Sequence, residues 1–292
     1  MRIFSFDSKP TYSVGVEITS KEFHFTLLKQ QGRKREWVDN GRIVLAKQPE
    51  PWQAVKRFCG AHCKNVSVGL EINNVLIKDF ILDSTCTPRE IESYLYQQAQ
   101  NILSLAEDDL ALDFNVRKKT KELNAVKMVA TRKTLITELV KEAKLADLKI
   151  NCINISLFSL KKLLIYLNKP LDLVSTVLIN QEHLLYCVYE EQEIIFYQIF
   201  YLESSLFEEK LLANIFIILE QGKQLFINQF QKKPPHQIFF LGSINDVIAE
   251  KLKAKLSETI EWVNLENFFY SSQRLDFEEL NSMVLSTSLA LS

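Results

Sequence analysis

The chain has 292 residues, 47% of them apolar, and a formal net charge of -1. That length and apolar content suit one large core or two adjacent lobes. The near-neutral charge excludes a dedicated phosphate-backbone binder, which normally carries a clear basic excess. The longest apolar run, Leu211 to Leu219 interrupted by Asn214, is far short of the ~20 residues that a bilayer span requires. Met1 to Asp7 holds no apolar stretch of the kind a signal peptide needs. The expectation is a soluble cytoplasmic protein that reaches any membrane through a partner.

In chain order, alternation predicts strands over 12–18, 23–29 and 35–45, with turn chemistry at Gln31-Gly32 and Asn40-Gly41. Pro51 starts a helix over 51–63, and strands follow over 65–71 and 75–82. Thr87-Pro88-Arg89-Glu90 is a capping box with proline at the first helical position. The helix it opens runs to about 104, with Ile91, Leu95, Ala99 and Ile102 on one stripe. Then come strands 110–118 and 123–131, helix 132–144, strand 148–155 and helix 156–167. Asn168-Lys169-Pro170 breaks the pattern and marks a lobe boundary. Beyond it lie strands 173–180, 183–190 and 193–201, and a helical stretch from 204 to 231 ended by Pro234-Pro235. Strand 237–241, helix 245–257, strand 260–263 and helix 276–290 complete the chain. A three-strand meander followed by helix and strand occurs twice, which specifies a duplicated α/β architecture without a function.

Five cysteines, odd in number and irregularly spaced, do not suggest a disulfide framework. Cys59, His62 and Cys63 share a predicted helix, but no Cys-x-x-Cys or His-x-x-x-His supplies further ligands. Buried helix cysteines are the expectation, and no metal is expected. His24, His62, His183 and His236 show no catalytic spacing, and no Gly-x-Ser-x-Gly is present. No catalytic constellation emerges, so the chain does not read as an enzyme. Arg33-Lys34-Arg35 and Arg117-Lys118-Lys119 with Lys121 are short basic clusters near turns. Solvated hairpin ends are their default reading, with a membrane-facing role as the alternative.

The stretch from Glu90 to Val116 carries a resemblance. A helix leads through Leu105-Ala106-Glu107-Asp108-Asp109 into Leu112-Asp113-Phe114-Asn115-Val116. Val129-Ala130-Thr131-Arg132-Lys133, Ala143 to Lys149 and the closing Leu285 to Ala290 follow in order. Together they resemble the PilM family, the cytoplasmic actin-like proteins of type IV pilus assembly and DNA-uptake machines. The resemblance implies a two-lobed, actin-like (ribonuclease H-like) α/β fold with a small inserted subdomain. Its lobes would be 1–72 (completed by 149–169 and 275–292), an insert at 73–148, and 170–274. The chain departs from the family in the short spacing between Phe200 and Gln237, which reduces the second-lobe lid to a helix or two.

The resemblance also implies a partner: the N-terminal tail of a PilN-like bitopic inner-membrane protein, bound in a groove beside the insert. Tyr94, Gln98, Asp113 and Asn115 are the candidate contacts. The chain would thereby connect to the pilus alignment complex and the assembly ATPases, with no nucleic acid involved. Two strand-turn units, Val14 to Ser20 and Val177 to Glu182, stand where actin-like ATPases read Asp-x-Gly around ATP. Here the acids are Glu17 and Asn180, and the glycines are Thr19 and Glu182. A β-branched residue obstructs close phosphate approach, and Glu182 adds repulsion there. A nucleoside-side pair of glycines is reduced to Gly242-Ser243. Glu17, Thr19, Ser20, Asn180, Gly242 and Ser243 are thus expected to form a relic cleft, with ATP and magnesium doubtful. The alternatives are a working actin-like ATPase and the cytoplasmic part of a type II secretion component.

Overall fold

Strand β1 (Thr11–Ile18) begins the computed structural model, which describes residues 10–31, 34–60, 64–180, 183–202, 208–242, 246–271 and 282–291. It pairs antiparallel with β2 (Glu22–Gln31), which pairs with β3 (Lys34–Val44). On its other side β1 runs parallel to β4 (Asn65–Leu70), and β4 runs parallel to β8 (Lys149–Ile155). A two-residue strand, β14 (Tyr270–Ser271), adds to β3, giving the order β14-β3-β2-β1-β4-β8. A second sheet repeats the meander with β9 (Val174–Ile179), β10 (His183–Glu190) and β11 (Glu193–Tyr201). With β12 (Gln237–Gly242) and β13 (Thr259–Trp262) its order is β11-β10-β9-β12-β13.

Each large sheet buries both faces. In β1 and β4, Val14, Val16, Val66 and Val68 point to one side, against Trp52 and Val55 of α1 (Pro51–Cys59) and Leu139 and Ala143 of α3 (Lys133–Leu145). The opposite face meets α4 (Ser156–Tyr166) and α7 (Val284–Ala290), whose apolar residues join one core with Leu178, Leu185, Phe239 and Leu241 of the second sheet. The far side of that sheet packs on α5 (Glu208–Phe230) and α6 (Asp246–Lys255). Double burial explains why β9 and β12 are near-continuous apolar runs.

The α7 contact depends on absent side chains. A Cβ on Gly15 would stand 1.9 Å from the Ser286 carbonyl oxygen, and one on Gly69 would stand 2.5 Å from Leu289 Cδ1. Hydroxyls complete the seat, with Thr26 Oγ1 2.7 Å from Ser286 Oγ in the buried interior. The helix therefore lies directly on backbone, a closeness that any larger residue at these positions would destroy.

A third sheet, β5 (Leu76–Asp83), β7 (Leu123–Arg132) and β6 (Leu110–Lys118), has the order β5-β7-β6. It packs one face on α2 (Pro88–Leu103). The capping box is formed: Thr87 Oγ1 accepts from the Glu90 amide, and the Glu90 carboxylate accepts from the Thr87 amide at 2.7 Å.

One boundary shifts, at α1, and one strand, β14, is new. Helix α1 ends at Cys59, because Gly60 takes φ +57° and turns the chain away. The helical stretch expected over about 204–231 is α5 (Glu208–Phe230), 23 residues long within the described part, which agrees with a connection of a helix or two. Within the predicted 276–290 helix, the described part is helical over Val284–Ala290. Strand β14 was not anticipated, being too short to show a period. No helix among the described residues is long and apolar enough to cross a membrane.

Candidate functional site

The two phosphate-type turns use their own polar groups to close themselves. In the β1–β2 turn, the Thr19 hydroxyl accepts from the Glu22 amide at 3.0 Å and the Lys21 amide at 3.3 Å. Its backbone N–H donates to the Glu22 carbonyl at 2.9 Å, and its Oγ1 lies 3.1 Å from the same oxygen. Thr19 takes no positive φ, so the strain that a left-handed threonine would carry does not arise. The Lys21 and Glu22 amides are thus turned onto a side chain of the same loop. Ser20 is exposed at the tip.

Glu17 lies at the end of β1 with its carboxylate 3.6 Å from His24 Nδ1, and His24 Nε2 is 3.0 Å from Glu22. Arg42 pairs in turn with Glu22. Burial opposes protonation of His24, but Glu17 and Glu22 outweigh it and hold its pKa above the ordinary value. Burial likewise opposes ionisation of Glu22, yet Arg42 and His24 bring its pKa below the usual carboxylate range. Glu17, which the resemblance set at a metal-facing position, thus faces an imidazole. Among the described residues no group of three or more His, Cys, Asp or Glu is arranged to hold a metal. Cys59 is buried in the core, while His62 and Cys63 lie outside the described residues.

The β9–β10 turn behaves in the same way. Asn180 Oδ1 accepts from the His183 amide at 2.7 Å, its Nδ2 is 2.9 Å from His183 Nε2, and its own amide donates to the His183 carbonyl at 3.0 Å. Gly242 serves the sheet. It pairs with Ile179 at φ +103°, and a Cβ there would stand 1.9 Å from the Ile179 carbonyl oxygen. Glu182 and Ser243 lie outside the described residues.

An apolar groove of about 390 Å³ runs beneath the third sheet. Alternation and register put Ala111, Asp113 and Asn115 of β6 beside Thr131, Val129 and Lys127 of β7 on the face away from α2. Across the groove stand Ile153 and Ile155 of β8, Phe158 and Lys161 of α4, and Glu193 and Ile194 of β11. Several of its charges are already paired: Lys127 with Asp79 at 2.7 Å and Lys161 with Glu193 at 2.8 Å. The Lys127 ammonium also sits 6.0 Å from the Phe158 ring centroid, linking sheet to helix. Strand β6 is an edge, with no partner on its outer side among the described residues. On that outer edge the Phe114 N–H donates to the Asp113 carboxylate at 2.8 Å, and Asp113 and Asn115 are exposed beside it.

Of the four partner candidates, Asp113 and Asn115 line this groove. Tyr94 and Gln98 do not join them. Tyr94 meets Phe80 edge-on, with centroids 5.6 Å apart, on the α2 side of the sheet. The far wall of Phe158, Lys161 and Glu193 was not singled out from the sequence. No local signal marks it, since the residues come from separate elements brought together by the fold.

Comparison with known proteins decides the family. Residues 14–198 match the family described as type IV pilus assembly protein PilM. The chain belongs to the PilM family. Among solved structures it is similar to one described as the PilM-PilN type IV pilus biogenesis complex, with TM-score 0.74, 14% identity, and 96% of this chain and 97% of that chain covered. It is also similar to the cytoplasmic domain of EpsL, an inner-membrane component of the type II secretion system of Vibrio cholerae. There the TM-score is 0.55 and identity 12%, covering 96% of this chain and 95% of that one. No curated protein matches the sequence. The fold is the two-lobed actin-like α/β fold, with a three-strand meander in each large sheet, β1–β3 and β9–β11.

Proposed function

We propose that this PilM-family protein is a non-enzymatic adaptor of type IV pilus biogenesis or DNA uptake, working at the cytoplasmic face of the inner membrane. It captures the N-terminal tail of a PilN-like membrane protein and connects the pilus alignment complex to the assembly motors. In this reading residues 73–148 form the partner-binding insert, lobes 1–72 and 170–274 carry it, and the nucleotide cleft is degenerate. The observation that carries the proposal is the groove of about 390 Å³ beneath an unpaired edge strand in a PilM-family chain. The PilM-PilN complex among its structural neighbours supports the choice of partner.

The groove offers what a short tail uses: apolar surface for alternate side chains and an edge strand, β6, where a tail would displace the Asp113 carboxylate from the Phe114 N–H. Asp113 and Asn115 add polar selection at its rim. The turns favour an adaptor over an ATPase because their amides and side chains are mutually bonded. Calorimetric titration of the full chain with the N-terminal peptide of its membrane partner tests the reading. Saturable binding is expected, and absence of measurable heat at high micromolar peptide contradicts it.

A further inference from the structure

A second concave surface lies away from both the turns and the groove. It is formed by the end of β2, the start of β3, the C-terminal end of α4 and the segment around β14, and encloses about 550 Å³. Lys29, Lys34 and Arg35 line it, with Glu36 as the carboxylate among its lining residues. Lys29 is 3.0 Å from Glu36, and Arg35 stacks 5.0 Å above the Tyr166 ring. Lys34 is exposed, with no ion pair among the described residues. Two further aromatics stand at the rim: Phe268, and Tyr270 with 72% of its surface exposed.

We infer that this cleft binds an anionic phospholipid surface directly. The chain as a whole has a net charge of -1, so a local excess of cations is a concentrated feature and not a reflection of composition. Tyrosine with an apolar body and a polar tip is suited to the headgroup level of a membrane. Each lysine or arginine near an anionic leaflet contributes about a fivefold factor in affinity. Nucleic acid fits less well, because its binding rests on many phosphate contacts and this cleft offers only three cations, one of them paired with Glu36.

The placement also agrees with a membrane-tethered partner. Phe158 and Lys161 of α4 line the groove while Tyr166 of the same helix lines the basic cleft. Five residues separate Lys161 from Tyr166, about 8 Å along the axis. This last point alone rests on the proposed partner, and the lipid contact stands without it.

Vesicle co-sedimentation of the full chain, without any partner, tests the inference. Binding is expected to equimolar phosphatidylcholine and phosphatidylglycerol vesicles, to weaken as salt rises, and to be lost on pure phosphatidylcholine. Lys34→Ala with Arg35→Ala is expected to weaken it about 25-fold, from two fivefold factors. Tyr270→Ala, at an exposed site with no packing to lose, gives a smaller loss. Ala111→Trp, which fills the groove, leaves vesicle binding unchanged and so separates this site from the tail-binding reading. The inference fails if the protein ignores mixed vesicles, or binds neutral ones equally. It also fails if reversing Lys118 and Lys119 at the β6–β7 hairpin weakens binding as much as the Lys34/Arg35 change.

Discussion

The phosphate-type turns and the groove beneath the third sheet are built from the same kinds of residue, yet they are opposite in what they leave open. In the turns, Thr19 and Asn180 bond to the amides of their own loops, and Glu17 faces His24. In the groove, the outer edge of β6 has no strand partner among the described residues, and apart from the Phe114 N–H held by Asp113 it lies open beside apolar surface. A site that satisfies itself is a structural joint. An edge strand without a strand partner next to apolar surface is, in the proposed reading, a place for another chain. The glycines tell the same story: Gly15, Gly69 and Gly242 serve helix and strand contacts of the fold, while the turns hold bulkier residues.

The comparison can be broken most forcefully at the glycines. Gly15→Ala puts a methyl into the backbone of α7, and a loss of about 3 kcal/mol is expected, read from denaturant melts. A near-neutral result would mean that α7 does not lie flat on β1. Next comes the groove. Ala111→Trp should weaken the tail peptide by about 30-fold, the scale of blocking an anchor site, while leaving the melting midpoint close to wild type. Equal affinity would move the tail elsewhere.

Thr19→Ala sharpens the other side. Losing the hydroxyl that holds the Lys21 and Glu22 amides should cost about 1 kcal/mol and bring no gain in MgATP binding. The smallest effect is electrostatic. The raised pKa of His24 gives stability that is full below its ordinary value of 6.5 and fades as pH climbs through the folded-state value. The lowered pKa of Glu22 gives stability present above its ordinary 4.5 and lost as pH falls through the folded-state value. Stability from this cluster is therefore greatest between those two values, and His24→Gln should flatten the neutral-side slope in melts taken across pH.

Much of the fold was legible because its signals are local. Alternation marked the strands on either side of each meander, and Thr87 with Glu90 announced the start of α2 to the residue. The substitutions at Thr19 and Asn180 were equally visible, but the bonds that turn them into self-closed loops needed coordinates. For partner candidates, strand parity put Asp113 and Asn115 on one face together. Tyr94 and Gln98 share a helix face, yet the side of the sheet on which that helix packs is a tertiary choice. Phe158, Lys161 and Glu193 were invisible for the same reason, as they meet only when α4 and β11 are folded against the third sheet. The helix end at Gly60 was readable in principle, since a glycine after an apolar stripe is a common stop.

Amide hydrogen exchange of the full chain, recorded once with saturating tail peptide and once with MgATP, probes both regions together. The account predicts slowed exchange along β6, residues 110–118, with peptide, and no change in residues 17–22 or at Asn180 with nucleotide. Protection of those turns by MgATP, with β6 indifferent to peptide, would contradict it.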